Sequence, residues 1–240
     1  MATGLITGAD MGLGFELTKL GLLRGNTMIA IVLHASRENI TGLKSQYGDK
    51  LTIIAADITD EAAIRDAADR ISDKFKQIDF IVNNAGVLFG SKYDKIDEIV
   101  DLDVAKFRKT LDVNVTGMAI VLKYFMPYLY KSSCPVIINI TSEAAYLGSG
   151  GYNYLSYSVS KYAANMYTQK IRNYLHDERP ELGVRIFIMH PGRMQTVMGA
   201  ENAQIPSSES AEGIYKVIEG ETDPKLEIPF INYKGEAMPH

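Results

Sequence analysis

A tyrosine and a lysine stand four positions apart, at Tyr157 and Lys161, so a helix through them projects a phenol and an ammonium from one face. An adjacent positive charge stabilises a phenolate and lowers the tyrosine pKa toward working pH, as a general acid/base for hydride transfer requires. The pair alone decides little, because the chain holds 14 tyrosines and most Tyr-x-x-x-Lys pairs on helices are solvated neighbours. A second constellation lies at Thr7-Gly8-Ala9-Asp10-Met11-Gly12-Leu13-Gly14, between an apolar run and a helical pattern opening near Phe15. Glycines there let backbone N–H groups and a positive helix N-terminus approach a pyrophosphate. The spacing departs from the G-x-G-x-x-G fingerprint, and such turns also occur for structural reasons.

Residues this far apart need a frame. Short apolar, β-branched runs predict buried strands at 5–7, 28–33, 51–56, 79–82, 136–140 and 184–189, with a closing strand at 226–231. Helical spacing fills 12–23, 61–75, 104–129 and 156–175, with a shorter helix at 210–219. Strand and helix alternate, which implies right-handed crossovers and a doubly wound α/β fold: a Rossmann-like parallel sheet of about seven strands with helices on both faces. No repeat or boundary divides residues 1–240, so a single domain is expected, with looser loops near 143–156 and 193–208.

Composition narrows the function. Apolar residues make up 46% and charged residues 22% of the chain, which predicts an ordinary folded domain and not a disordered one. The net charge of −4 with scattered Lys and Arg argues against a nucleic-acid partner. The longest apolar stretches, 28–33 and 118–122, fall far short of the roughly 20 residues of a membrane span, and no signal peptide is read at the N-terminus, so the cytoplasm is the expected location. The single Cys134 and the scattered His34, His176 and His240 offer no metal-ligand spacing, and no metal is expected. His190, before a Pro-Gly turn, reads as a strand-end histidine bonded to backbone in preference to a second catalyst.

In order along the chain, these landmarks resemble the short-chain dehydrogenase/reductase family. Gly8, Gly12, Leu13 and Gly14 look like its cofactor turn, with Asp10 and Met11 inside it; Asp57, with Ile58 beside it, resembles its adenine contact; Asn83-Asn84-Ala85-Gly86 matches its fourth-strand signature. Asn114 in Asn-Val-Thr-Gly, Ser142 at the end of the fifth strand, and Tyr157 with Lys161 match its catalytic set. Pro191-Gly192-Arg193-Met194-Gln195-Thr196 resembles its nicotinamide-side segment. The ending from Pro229 is similar to the compact C-factor and sniffer-like carbonyl reductases.

The resemblance implies a mechanism. Tyr157 gives a proton to a carbonyl oxygen as hydride arrives from the nicotinamide, Ser142 hydrogen-bonds the same oxygen, Lys161 binds the ribose hydroxyls and lowers the Tyr157 pKa, and Asn114 holds a water that links the lysine to solvent. Tyr157, Lys161, Asn84, Ala85, Gly86, Pro191, Gly192, Met194 and Thr196 are then expected along the cofactor. The spacing from Ser142 to Tyr157 is wider than in many relatives, and Gly148-Ser149-Gly150-Gly151, Tyr152 and Tyr154 in that loop are candidates to shape a substrate pocket.

Two questions stay open at the level of sequence. The second strand ends in Leu33-His34-Ala35-Ser36-Arg37; no acid precedes Glu38, and Arg37 with His34 suits a 2′-phosphate, which favours NADP(H) over NAD(H). Against that, Arg37 also reads as a surface residue opening a helix, and Asp10 would repel a 2′-phosphate unless neutralised. The expected partner is a small carbonyl or secondary alcohol, and the apolar faces of the long helices suit a homodimer or homotetramer. A nucleotide-sensing regulator on the same fold is the rival, but it has no use for Ser142, Tyr157 and Lys161 together.

Overall fold

Parallel strands covered on both faces are apolar at nearly every position, and that is how the central runs of this chain are used. The computed structural model describes residues 1–89, 99–148, 154–195 and 203–240. Its strands are β1 (Thr3–Thr7), β2 (Thr27–Val32), β3 (Leu51–Ala55), β4 (Phe80–Asn83), β5 (Val136–Ile140), β6 (Arg185–His190) and β7 (Phe230–Asn232), and its main helices are α1 (Gly12–Leu23), α2 (Glu38–Tyr47), α3 (Glu61–Ile71), α4 (Val104–Leu111), α5 (Met118–Leu129), α6 (Leu155–Glu178) and α7 (Ser207–Ile218). They form one parallel sheet in the order β3-β2-β1-β4-β5-β6-β7. Alternate strand residues feed two cores: Ile6, Val82 and Met189 pack with α1, α2 and α7, while Leu5, Ile81 and Ile137 pack with α3, α5 and α6. The doubly wound fold expected from the alternation is therefore the one observed.

Three elements differ from expectation, each for a tertiary reason. The helix predicted over 104–129 is broken into α4 and α5 by a π-helical turn, Asp112–Gly117. Within it Asn114 accepts from the Val87 N–H at 2.8 Å and donates to the Val87 carbonyl at 3.0 Å and to Ser160 Oγ at 2.9 Å, so the widened turn is held by partners on two other segments. The closing strand is short because Pro229 has no N–H to give to a ladder and Arg172 holds the Leu226 and Glu227 carbonyls at 2.9 and 2.8 Å. Helix α2 was not among the segments with helical spacing, since only Ile40 and Leu43 of its ten residues are buried.

The helix that matters most for chemistry, α6, is tied to the sheet by a buried polar chain. Asn83 and Asn139 are register partners on β4 and β5; Asn83 Nδ2 donates to Asn139 Oδ1 at 2.8 Å, and Asn139 Nδ2 donates to Thr168 Oγ1 of α6 at 2.9 Å. All three residues are buried, so each bond replaces water that would otherwise be lost outright. The substitution Asn139→Leu strands the Asn83 amide and is expected to cost about 1–3 kcal/mol, seen as a fall of several degrees in Tm on thermal melting. An unchanged melting curve would contradict this anchoring role.

Candidate active site

Ligands of doubly wound sheets settle where the strand order reverses, outside the carboxyl ends of the strands. In this sheet that point lies between β1 and β4, and a cleft of about 380 Å3 opens there. Gly8, Asp10, Met11, Gly12 and Leu13 form one wall, Asn84, Ala85 and Gly86 another. Arg37, Asp57 and Ile58 line the end beyond β2 and β3, and Tyr157, Lys161, Pro191 and Met194 line the opposite end.

The first turn is built for close approach. Gly8 and Gly12 have φ of 63° and 55°, a left-handed region costly for residues with a Cβ. Gly14 is outside the lining, yet a Cβ on it would sit 2.2 Å from the Gly8 carbonyl oxygen and 2.5 Å from Asn84 Nδ2. Helix α1 starts without a side-chain cap, Met11 being extended, so its first N–H groups are left for a ligand. Thr7 Oγ1 accepts the Asn84 and Ala85 N–H groups, both at 3.0 Å, and Asn84 Nδ2 donates to the Thr7 and Gly8 carbonyls at 2.9 and 3.2 Å. The two walls thus hold one another, and the backbone cradle between them fits the diphosphate of a dinucleotide.

At the other end, α6 carries Tyr157 and Lys161 into the cleft, as their spacing predicted. Lys161 is 4% exposed, and its Nζ donates to the Ile140 carbonyl at 2.9 Å and lies 5.6 Å from the centre of the Tyr157 ring. Burial pushes the lysine pKa down to about 8. The tyrosine moves opposite to expectation: burial pushes its pKa up, a hydrogen bond with the Ser142 side chain pulls it down, and the Glu143 carboxylate pushes it up again, the balance being a raised value. Ser142 Oγ accepts from the Ala144 N–H at 3.1 Å, which leaves its own hydrogen to donate. A Cβ on Gly86 would stand 3.1 Å from Asn114 Oδ1 and 3.5 Å from Lys161 Nζ, so Asn114 is adjacent to the lysine although its side chain is committed to Val87 and Ser160. His190 is the backbone-bonded residue expected, its Nδ1 accepting from the Glu143 N–H at 3.2 Å. Gly192 takes φ of 85°, and Thr196, like Ser149, Gly150, Gly151 and Tyr152, lies outside the described residues.

Asp10 and Arg37 pair with one another: Arg37 Nε meets Asp10 Oδ2 at 2.7 Å, so the carboxylate in the phosphate turn has a cationic partner. Asp57 accepts from the Thr59 N–H and hydroxyl at 2.9 and 2.7 Å. Burial opposes its ionisation, but those bonds and the Lys109 ammonium 3.7 Å away hold its pKa below the usual carboxylate range. Lys109, Val113 and Thr141 also line the cleft. Sequence reasoning missed them, though Val113 and Thr141 adjoin Asn114 and Ser142, and that adjacency was the available signal; Lys109 had none.

Comparison with known proteins agrees with this fold. A family model described as short chain dehydrogenase matches residues 2–206. Estradiol 17-beta-dehydrogenase 2 of Rattus norvegicus is 31% identical over 203 residues, which cover 83% of this chain and 50% of that relative. Among solved structures, the carbonyl reductase Sniffer of D. melanogaster superposes with a TM-score of 0.87 at 23% identity, covering 100% of both chains. An NADPH-bound carbonyl reductase from chicken fatty liver gives 0.84 at 24% identity, covering 100% of this chain and 99% of that one. At these identities the structures speak for a shared fold.

The buried ammonium carries a measurable cost. The folded state holds the Lys161 proton less tightly than the unfolded chain does, with a pKa of about 8 against 10.5. Below pH 8 the penalty of burying charge is therefore present in full, and stability rises with pH between the two values. The substitution Lys161→Met is expected to raise stability at pH 7 by up to about 3 kcal/mol and to lose most of that gain by pH 10.5, read as Tm against pH. A gain that stays constant across this range, or a loss at pH 7, would contradict the assignment.

Proposed function

Because this chain belongs to the short-chain dehydrogenase family, we propose that it interconverts a small carbonyl compound and its secondary alcohol with a nicotinamide cofactor, using Tyr157 as general acid/base. One observation carries the reading. Tyr157 and Lys161 leave adjacent turns of α6 and enter the same cleft as the glycine turn of β1 and α1, so a proton donor and a dinucleotide cradle share one space.

The cofactor supplies the hydride for reduction and accepts it in oxidation. Tyr157 protonates the substrate oxygen as charge develops there, and Ser142 donates to the same oxygen and fixes its place. Lys161, held at the β5 end by the Ile140 carbonyl, offers its remaining donors to the ribose hydroxyls. Asn114 braces the turn beside Lys161, where a water would join the ammonium to solvent. Asp57 and Ile58 would hold the adenine and Met194 the nicotinamide side, with Pro191 and Gly192 shaping that turn.

NADP(H) is the proposed cofactor. The Asp10 carboxylate, the obstacle to a 2′-phosphate, is matched by Arg37, and His34 lines the same end of the cleft. Because Arg37 engages Asp10 through Nε, the other nitrogens of its guanidinium fork suit a phosphate. The chicken fatty liver carbonyl reductase of the same fold binds NADPH, which supports the choice. Exposed Val159, Tyr162, Met166 and Tyr174 on α6, with Val104 on α4, support a homo-oligomer, and a cytoplasmic enzyme remains the proposal.

Two substitutions test this reading. With a panel of carbonyl substrates followed at 340 nm, Tyr157→Phe is expected to lower kcat/KM by about 10²–10⁴-fold; undiminished turnover would refute its role. Arg37→Ala is expected to lower kcat/KM with NADPH by about 10–100-fold, with little change for NADH. A wild type that already prefers NADH, and still does after this substitution, would overturn the cofactor assignment.

A further inference from the structure

The turn carrying Ser142 leaves β5, and the turn carrying Pro191 and Gly192 leaves its neighbour β6. Ser142 caps a short 3₁₀ turn, Glu143–Ala145, and the first residue of that turn is tied twice to the other one. The Glu143 N–H donates to Nδ1 of His190, the last residue of β6, at 3.2 Å, and the Glu143 carboxylate meets Arg193 Nε at 2.5 Å. Arg193 is itself anchored, since its carbonyl accepts from the Gln204 and Ile205 N–H groups at 2.7 and 3.3 Å. His190 suits its part: burial lowers its pKa, with Glu143 opposing and Arg193 assisting, so the neutral ring keeps Nδ1 as an acceptor.

We propose that Glu143 is a positioning residue that, through Arg193 and His190, locks the Ser142 turn to the Pro191–Gly192 turn and so fixes the distance between the serine hydroxyl and the nicotinamide side of the cleft. The inference rests on the oxidoreductase reading for its kinetic consequence, and on the two contacts alone for the lock itself. Both side chains of the ion pair are partly exposed, at 49% for Arg193 and 41% for Glu143, so its contribution to global stability is small. Its effect is local, on the relative placement of two groups that must meet one substrate. The Glu143 carboxylate also raises the Tyr157 pKa, after burial and against the Ser142 hydrogen bond, which gives the proposal an electrostatic signature that a purely structural residue lacks.

The test compares wild type, Glu143→Gln, and the charge exchange Glu143→Arg with Arg193→Glu, by hydrogen–deuterium exchange and by pH-resolved kinetics. Glu143→Gln is expected to speed exchange in residues 142–148 and 190–195 together, and the charge exchange to restore protection in both. In kinetics, Glu143→Gln is expected to lower kcat by about tenfold, with cofactor Kd little changed, and to move the alkaline-rising limb of alcohol oxidation to lower pH. Faster exchange confined to one segment, or no change in either, would overturn the lock; wild-type kcat with an unmoved pH limb would overturn its catalytic consequence. If wild type turns over no carbonyl or alcohol at all, the oxidoreductase reading fails, and the exchange measurement still decides the lock.

Discussion

A lysine ammonium can be buried only where something replaces its water, and the placement of Lys161 sets the terms for the rest of this site. The Ile140 carbonyl at the end of β5 takes one of its hydrogens at 2.9 Å, and the cleft receives the others. That arrangement requires α6 to lie at one depth against the sheet. The Asn83–Asn139–Thr168 chain supplies the anchor below, and the π turn that brings Asn114 to Ser160 supplies it above. Ser160 in turn donates to the Tyr157 carbonyl at 2.7 Å, so the brace on the helix bears directly on the tyrosine.

Burial acts on the two groups in opposite directions, lowering the lysine pKa to about 8 and raising that of the tyrosine. In the free protein the ammonium therefore gives up its proton at a lower pH than the phenol does. The anionic diphosphate and the ribose hydroxyls of a dinucleotide are the groups that would favour the charged lysine again. A filled cleft would therefore return the lysine charge, and with it a lower tyrosine pKa, to the pair.

What was legible in the sequence was local. Four-residue spacing places Tyr157 and Lys161 together, glycines report the left-handed turn at Gly8 and Gly12, and alternating apolar runs dictate the parallel sheet. What was not legible depends on partners distant in the chain. The π turn is set by Asn114 reaching Val87 and Ser160; an amide inside a helix hints at a kink there, but the residues from 104 to 129 do not name its partners. Asp10 and Arg37 were each read for their charge, but their pairing needs the end of β2 to pass beside the phosphate turn. The upward push on the Tyr157 pKa in the free protein comes from burial, and burial is a property of the fold that charge in the sequence does not report.

The most direct measurement is the ultraviolet titration of Tyr157, taken as the tyrosinate difference between wild type and Tyr157→Phe with and without saturating oxidised cofactor. Ionisation is expected above the ordinary tyrosine value of 10.0 in the free protein, with a clear downward shift once cofactor is bound. A phenol that already ionises near neutral pH in the free protein, or one whose titration ignores the cofactor, would contradict it.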